Sequence, residues 1–184
     1  RLGPGNGWRL DPDEVEAALT PRTRMVVVCD PVNPFGTVQR RDELEALLRL
    51  AERHRLVVLA DTTHSAHRVD PGARHHPLAA VAAAHPGAPF LVASGLAHGY
   101  GMAGARIGAL GGPPDLVRAC LQVKIAAVRL NTNRLAQVGA AAALRDTAWL
   151  RRGEEVIRRN LAAVERVAPP VVRPAYGFSC VLDV

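Results

Sequence analysis

The sequence predicts an α/β protein with a mainly parallel sheet between two layers of helices. Short apolar runs with strand character alternate with amphipathic helical segments along the chain, as parallel sheets require. Each predicted strand except the last is followed by polar or glycine-containing turns, where α/β folds place their ligands. The predicted strands cover residues 25–29, 56–60, 90–93 and 107–110.

The helical segments are recognised from apolar residues spaced three and four apart. One face of residues 42–54 is apolar and consists of Leu44, Leu47, Leu48 and Ala51. A short helix over residues 15–19 begins at Asp11-Pro12, because aspartate caps helices and proline suits their first position. Further helices are predicted over residues 78–84, 115–128, 134–144 and 147–167. The helix at 134–144 is expected to have its N-cap at Asn131 or Thr132. Residues 171–172 and 178–184 resemble short strands.

Composition argues against several classes of protein. The net charge is +6, but aromatic residues do not alternate with the basic ones, so we expect no nucleic-acid partner. The arginine pairs 151–152 and 158–159 lie beside glutamates, which favours a solvated helix face over a polyanion site. No apolar run reaches the roughly 18 residues of a membrane span. Because the chain begins at Arg1, in sequence typical of the middle of a domain, we expect a piece of a longer protein.

The three cysteines are Cys29, Cys120 and Cys180. They are odd in number and widely spaced, and Cys29 and Cys180 fall in apolar runs. We therefore expect buried free thiols and a cytoplasmic protein rather than disulfides. The histidines His54, His75 and His76 have no apparent partners in the sequence, and we predict no metal site.

Five polar side chains follow predicted strands: Asn33, Asp61, His64, His98 and Arg106. Because ligands of open α/β sheets bind beyond the carboxyl ends of the strands, we expect these side chains to cluster there. Structural explanations remain open. Asn33 could cap its own proline-rich turn, Asp61 could cap a loop, and His64 could be a partly buried polar residue.

The segments that carry these residues resemble fold-type I pyridoxal-phosphate enzymes, the class I and II aminotransferases. Residues 30–36 (Asp-Pro-Val-Asn-Pro-Phe-Gly) resemble the family turn Asn-Pro-x-Asn-Pro-x-Gly. Residues 61–64 (Asp-Thr-Thr-His) resemble Asp-Glu-x-Tyr or Asp-Glu-x-His, and residues 104–108 match Gly-x-Arg-x-Gly. The histidine version of the second motif is typical of the cystathionine β-lyase-like branch of C–S lyases.

The resemblance implies pyridoxal 5'-phosphate as the cofactor and a role for each residue. Asp61 would pair with the protonated ring nitrogen, and Asn33 would bond the phenolic oxygen. His64 occupies the position of the family's tyrosine or histidine, and Arg106 would bind the phosphate. The resemblance covers almost the whole chain. It implies a large cofactor-binding domain over residues 1–145, without its N-terminal part. Residues 146–184 would form a connecting helix and the start of a small α+β domain.

The family's cofactor-binding lysine is missing. Counting back from Gly104 and Arg106 places His98 at its position, and the only lysine, Lys124, lies far downstream. The family's serines near the lysine correspond to Gly95 and Ala97. We therefore expect any pyridoxal phosphate to bind without a covalent bond, with His98 as a general base.

Two functions are compatible with these residues. The first is an aminotransferase or C–S β-lyase that acts on amino acids as small-molecule substrates, as a homodimer or paired with a complementary chain. The second is a non-catalytic, degenerate homologue that serves as a structural or partner subunit. The missing lysine and Thr62 favour the second, whereas Asp61 and Arg106 favour cofactor binding.

Overall fold

A four-stranded sheet forms the centre of the fold in a computed structural model that describes residues 2–128 and 131–183. The strands lie side by side in the order β1 to β4, namely β1 (Met25–Cys29), β2 (Val57–Asp61), β3 (Phe90–Gly95) and β4 (Gly108–Gly111). β1, β2 and β3 are parallel, and β4 pairs antiparallel with β3. The mainly parallel sheet predicted from the sequence is therefore confirmed.

The described residues form six α-helices. They are α1 (Pro12–Ala17), α2 (Arg41–His54), α3 (Leu78–Ala82), α4 (Pro114–Val128), α5 (Arg134–Ala143) and α6 (Thr147–Glu165). Single turns of 3-10 helix occur at Pro4–Asn6 and Ala103–Ala105. Among the described residues, no helix combines the length and the apolar character needed to cross a bilayer.

Helix α2 forms where local signals and burial agree. Its first turn is closed by the Arg40 backbone N–H, which donates to Glu43 at 2.7 Å, as in a capping box. The predicted apolar face is buried, together with Leu50. Burying each of its leucines contributes about 1.5–3 kcal/mol. The core therefore lies between α2, α3 and one face of the sheet.

The opposite face of the sheet is open within the described residues. It presents Val27, Met25 and Leu110, which are 62 %, 43 % and 40 % exposed. Helix α4 also has no buried residue. Apolar surface of this kind marks places where another polypeptide packs.

Three predictions for the rest of the chain were wrong in detail. Residues 171–172 and 178–183 form no strand. The only ladder contact there is the isolated bridge from Pro170 to Leu182, because neither piece has a neighbouring strand to extend it; Val184 lies outside the described residues. The N-cap of α5 is Asn133, whose side chain accepts from the Leu135 and Ala136 N–H groups. The cysteines are free, as expected, but only half-buried.

Helix α6 and the C-terminal segment pack against the loops that follow the parallel strands. The Trp149 indole N–H donates to the Gly99 carbonyl at 3.1 Å. The Gly36 carbonyl accepts from the N–H groups of Ala175 and Tyr176 at 2.9 and 3.0 Å. The Gly177 N–H donates to the His67 carbonyl at 2.9 Å in the loop after β2. Contacts of α6 and the C-terminal segment thus reach all three loops that carry the polar residues singled out from the sequence.

Candidate functional site

The loop after β1 is anchored by Asp30, which is 2 % exposed. Its Oδ1 accepts from the Gln39 backbone N–H at 3.0 Å, and its Oδ2 lies 3.2 Å from Nε2 of His75. Its own N–H donates to the Asp61 carbonyl at 3.0 Å. The expectation that His75 has no partner was wrong; His54 likewise contacts Glu16 at 2.8 Å.

Asn33 lies on the exposed part of this anchored loop. No hydrogen bond within residues 2–128 and 131–183 involves its side-chain amide, so the turn-capping alternative is not observed there. Its backbone N–H instead bonds the thiol of Cys29. Cys29 is the register partner of Asp61 on the neighbouring strand. Asn33 and Asp61 thus lie on either side of one thiol.

The environment of Cys29 keeps that thiol protonated. Burial raises the pKa of Cys29, and the nearby carboxylates Asp61 and Asp30 raise it further. The hydrogen bond from the Asn33 backbone acts in the opposite direction but is outweighed. Cys29 is therefore an uncharged thiol between the loop after β1 and strand β2, and not a nucleophile.

Asp61 is the last residue of β2, and its two carboxylate oxygens have different surroundings. Oδ1 accepts two hydrogen bonds from Thr63, one from the backbone N–H at 3.0 Å and one from the hydroxyl at 2.6 Å. Oδ2 receives no hydrogen bond from the described residues. Both interpretations of Asp61 are therefore compatible, because one oxygen caps the turn and the other can meet a ligand.

Thr62 occupies the position where the family has glutamate. Its backbone N–H and its hydroxyl both contact the Ala93 carbonyl of β3, at 2.8 and 3.2 Å. The side chain thus fastens the loop after β2 to the next strand. It belongs to the framework of the site and does not face a ligand.

His64 and His98 contact each other directly. Their rings stack with centroids 5.2 Å apart and an angle of 14° between the planes. Phe178 tilts against both, at 5.4 Å from His64 and 5.3 Å from His98. Burial lowers the pKa of His64, and a charge on His98 would lower it further, which outweighs the opposing effect of Asp61. At neutral pH, His64 is therefore uncharged.

Arg106 lies in the same loop as His98 but points into a different space. It lines a cleft of about 500 Å³ with Gly104, Ala105 and residues from 131 to 136. Its guanidinium donates to the Ala103 carbonyl at 3.2 Å and is otherwise exposed. Within the described residues, no hydrogen bond or ring contact joins it to the other four side chains.

The structure therefore brings His64 and His98 into contact and places Asp61 within electrostatic reach of His64. Asn33 and Asp61 both lie near the thiol of Cys29. It also adds Thr63, His75 and Phe178, which the sequence interpretation did not select. Thr63 had a local signal, since an aspartate side chain often accepts from the backbone N–H two residues further along the chain. Phe178 and His75 had none, because their partners are distant along the chain.

Comparison with known proteins gives consistent results. A family model described as "Aminotransferase class I and II" matches residues 1–168. Histidinol-phosphate aminotransferase of Moorella thermoacetica is 37 % identical over 155 residues, covering 83 % of this chain and 38 % of the relative. Aspartate/prephenate aminotransferase of Thermus thermophilus is 31 % identical over 188 aligned positions, covering 98 % and 47 %.

Solved structures agree with these relatives. A double mutant of Thermus thermophilus aspartate aminotransferase superimposes with a TM-score of 0.84 at 29 % identity, covering 99 % of this chain and 48 % of that one. N-succinyldiaminopimelate aminotransferase of Mycobacterium tuberculosis gives a TM-score of 0.78 at 28 % identity, covering 96 % and 46 %. The chain thus spans less than half the length of the proteins it matches.

Proposed function

The chain belongs to the class I and II aminotransferase family, and from this premise we propose that it is a cofactor-binding unit of an aminotransferase that acts on an amino acid. The observation that carries the proposal is Oδ2 of Asp61, which lies at the end of a parallel strand and receives no hydrogen bond from the described residues. Asp61 acts electrostatically on His64, whose ring stacks on that of His98. A carboxylate in this place can pair with a cationic ring nitrogen. Two imidazoles next to it can exchange protons.

Enzymes of this family depend on pyridoxal 5'-phosphate, and the residues present fit its non-covalent binding. Asp61 would hold the ring nitrogen, Asn33 and His64 the phenolic oxygen, and Arg106 the phosphate, for which its cleft offers space. When bound, the cofactor withdraws electrons from the α-carbon of an amino acid. His98 offers no primary amine, so the cofactor would be held by charge and hydrogen bonds alone.

His98 is the residue that we propose as the general base. An imidazole can gain and lose a proton near neutral pH. His64 does not compete for that proton, because burial keeps it uncharged. Phe178 packs against both rings, while His98 remains exposed and open to a substrate. His98 would therefore accept the proton of the substrate α-carbon, a role that lysine has in the family.

The division into domains, the location in the cell and the assembly are proposed on the same basis. We propose that residues 1–145 belong to a large cofactor-binding domain and residues 146–184 to a connecting helix and the start of a small domain. We propose a cytoplasmic protein that acts as a homodimer or together with a complementary chain. The open apolar face of the sheet, with Val27 on the edge strand β1, supports such pairing.

Two alternatives each rest on particular residues. His64, in a position where the family more often has tyrosine, favours a C–S β-lyase. The missing lysine, together with Thr62, Gly95 and Ala97, favours a non-catalytic homologue. The three functions differ in products, since only a lyase releases pyruvate from cystathionine and only an aminotransferase converts a 2-oxo acid to an amino acid.

Cofactor binding is the first test. Equilibrium dialysis with pyridoxal phosphate, followed by an absorbance scan, should show binding by the unaltered chain and at least tenfold weaker binding by Asp61→Ala, because a charge-assisted contact is lost. Asp115→Ala, which removes an exposed carboxylate in α4, is the matched control and should bind normally. Equal binding by the Asp61 and Asp115 variants would refute the proposed site.

A further inference from the structure

The orientation of the Asp61 carboxylate depends on one neighbour. Both hydrogen bonds to Oδ1 come from Thr63, and the one from its hydroxyl is short, at 2.6 Å. Hydrogen bonds to an ionised carboxylate are shorter and stronger than neutral ones. The backbone N–H alone would leave this oxygen with a single hydrogen bond. The hydroxyl therefore adds a second restraint on the same oxygen.

The Thr63 side chain is itself held in place. A β-branched side chain has few rotamers, and this one lies against Gly95 of β3. A Cβ at position 95 would be 3.4 Å from the Thr63 methyl group and 3.5 Å from its hydroxyl. The backbone N–H of the preceding residue, Thr62, donates to the Ala93 carbonyl at 2.8 Å, a bond that does not depend on the Thr62 side chain. Thr63 thus stands on a fixed loop, between the carboxylate and the neighbouring strand.

We propose that Thr63 is a positioning residue, which fixes Oδ1 of Asp61 so that Oδ2 faces the ring nitrogen of the cofactor. The inference rests on the proposed function for its ligand, but not for the restraint on the carboxylate. It assigns the hydroxyl a role that the sequence interpretation gave to no residue. Threonine and serine can fill this role, whereas valine, of nearly equal shape, cannot.

The restraint is measured first in the chain without cofactor. Three-bond NMR couplings across the Asp61 side chain report its χ1 rotamers. We expect one rotamer in the unaltered chain and in Thr63→Ser, and averaging among rotamers in Thr63→Val. Thr62→Val removes a neighbouring hydroxyl that does not touch Asp61, and it should retain the single rotamer. A single rotamer in Thr63→Val would overturn the proposal.

The consequence for the ligand is measured with two probes, pyridoxal phosphate and its analogue in which C–H replaces the ring nitrogen. Thr63→Val should bind pyridoxal phosphate roughly tenfold more weakly and the analogue with unchanged affinity. Thr63→Ser and Thr62→Val should bind both probes like the unaltered chain. Equal weakening for both probes would indicate a merely structural role and would refute the inference.

Different results would refute the proposed cofactor binding and the proposed role of Thr63. If the unaltered chain binds neither probe, the proposed cofactor function is refuted, and the NMR couplings alone decide whether Thr63 orients Asp61. If it binds both probes equally well, the ring nitrogen makes no contact with Asp61, and the inference about Thr63 is wrong for the ligand.

Discussion

Replacing Asp30 with alanine should destabilise the fold by about 2–4 kcal/mol. The carboxylate is almost completely buried, and each of its oxygens has a partner on a different segment. Oδ1 meets the Gln39 N–H, and Oδ2 meets Nε2 of His75. Alanine cannot form either contact, and it leaves the buried Gln39 N–H without an acceptor.

The magnitude follows from those two losses. A buried donor without a partner costs about 1–3 kcal/mol, and the Gln39 residue is only 2 % exposed. The His75 side chain is 11 % exposed, so its imidazole can partly recover by reaching water, and its loss is about 1 kcal/mol. Asp30→Asn retains an oxygen for Gln39 and should cost less than about 1 kcal/mol.

Urea unfolding of the three proteins at the same pH and chain concentration measures these differences. The expected order of stability is the unaltered chain, then Asp30→Asn, then Asp30→Ala. An alanine variant within about 0.5 kcal/mol of the unaltered chain, the range typical of surface substitutions, would refute the argument. It would mean that the loop carrying Asn33 is held by its backbone alone.

The remaining predictions concern pH, the position of the missing lysine and self-association. Burial lowers the pKa of His64, so between that lowered value and about 6.5 the unfolded chain binds more protons, and stability should rise with pH. The free energy of unfolding, measured with urea across this window, should rise less steeply with pH in His64→Gln than in the unaltered chain. An equally steep rise would contradict the lowered pKa of His64. Pyridoxal phosphate should dialyse away from the unaltered chain, whereas borohydride should fix it at position 98 in His98→Lys. Peptide mapping locates the adduct. An adduct on Lys124 of the unaltered chain would show that His98 does not occupy the position of the family's lysine. The open sheet face should cause reversible association, and Val27→Lys should shift sedimentation profiles towards the monomer; a monomeric unaltered chain at high concentration would contradict this.

The sequence alone determined the architecture of residues 2–128 closely. The continuous apolar run Met25–Cys29 predicts a parallel strand, although the structure buries only one side of it. The spacing of the leucines in α2 predicts a buried helical face. Those patterns are local and repeated, so strands and helices can be predicted from them without knowing which surfaces they pack against. The class of cofactor was also readable, because the family motifs recur at the ends of successive strands.

Local signals were weaker where pairing had to come from elsewhere. The C-terminal segments have the composition of strands but form only a bridge, since a strand requires a neighbour that composition cannot supply. The choice of Asn133 as N-cap, over Asn131 or Thr132, depended on which side chain could reach two free N–H groups.

Only the tertiary structure decided how the site residues divide their contacts. His75 contacts Asp30, which is 45 residues away in the sequence. Phe178, near the C-terminal end of the sequence, contacts the ring of His98. The two oxygens of Asp61 acquire different surroundings because Thr63 bonds one of them. Hydrophobic periodicity fixes which residues are buried. The particular polar partner that a buried group finds depends on the packing of segments distant in sequence, and no local pattern encodes that.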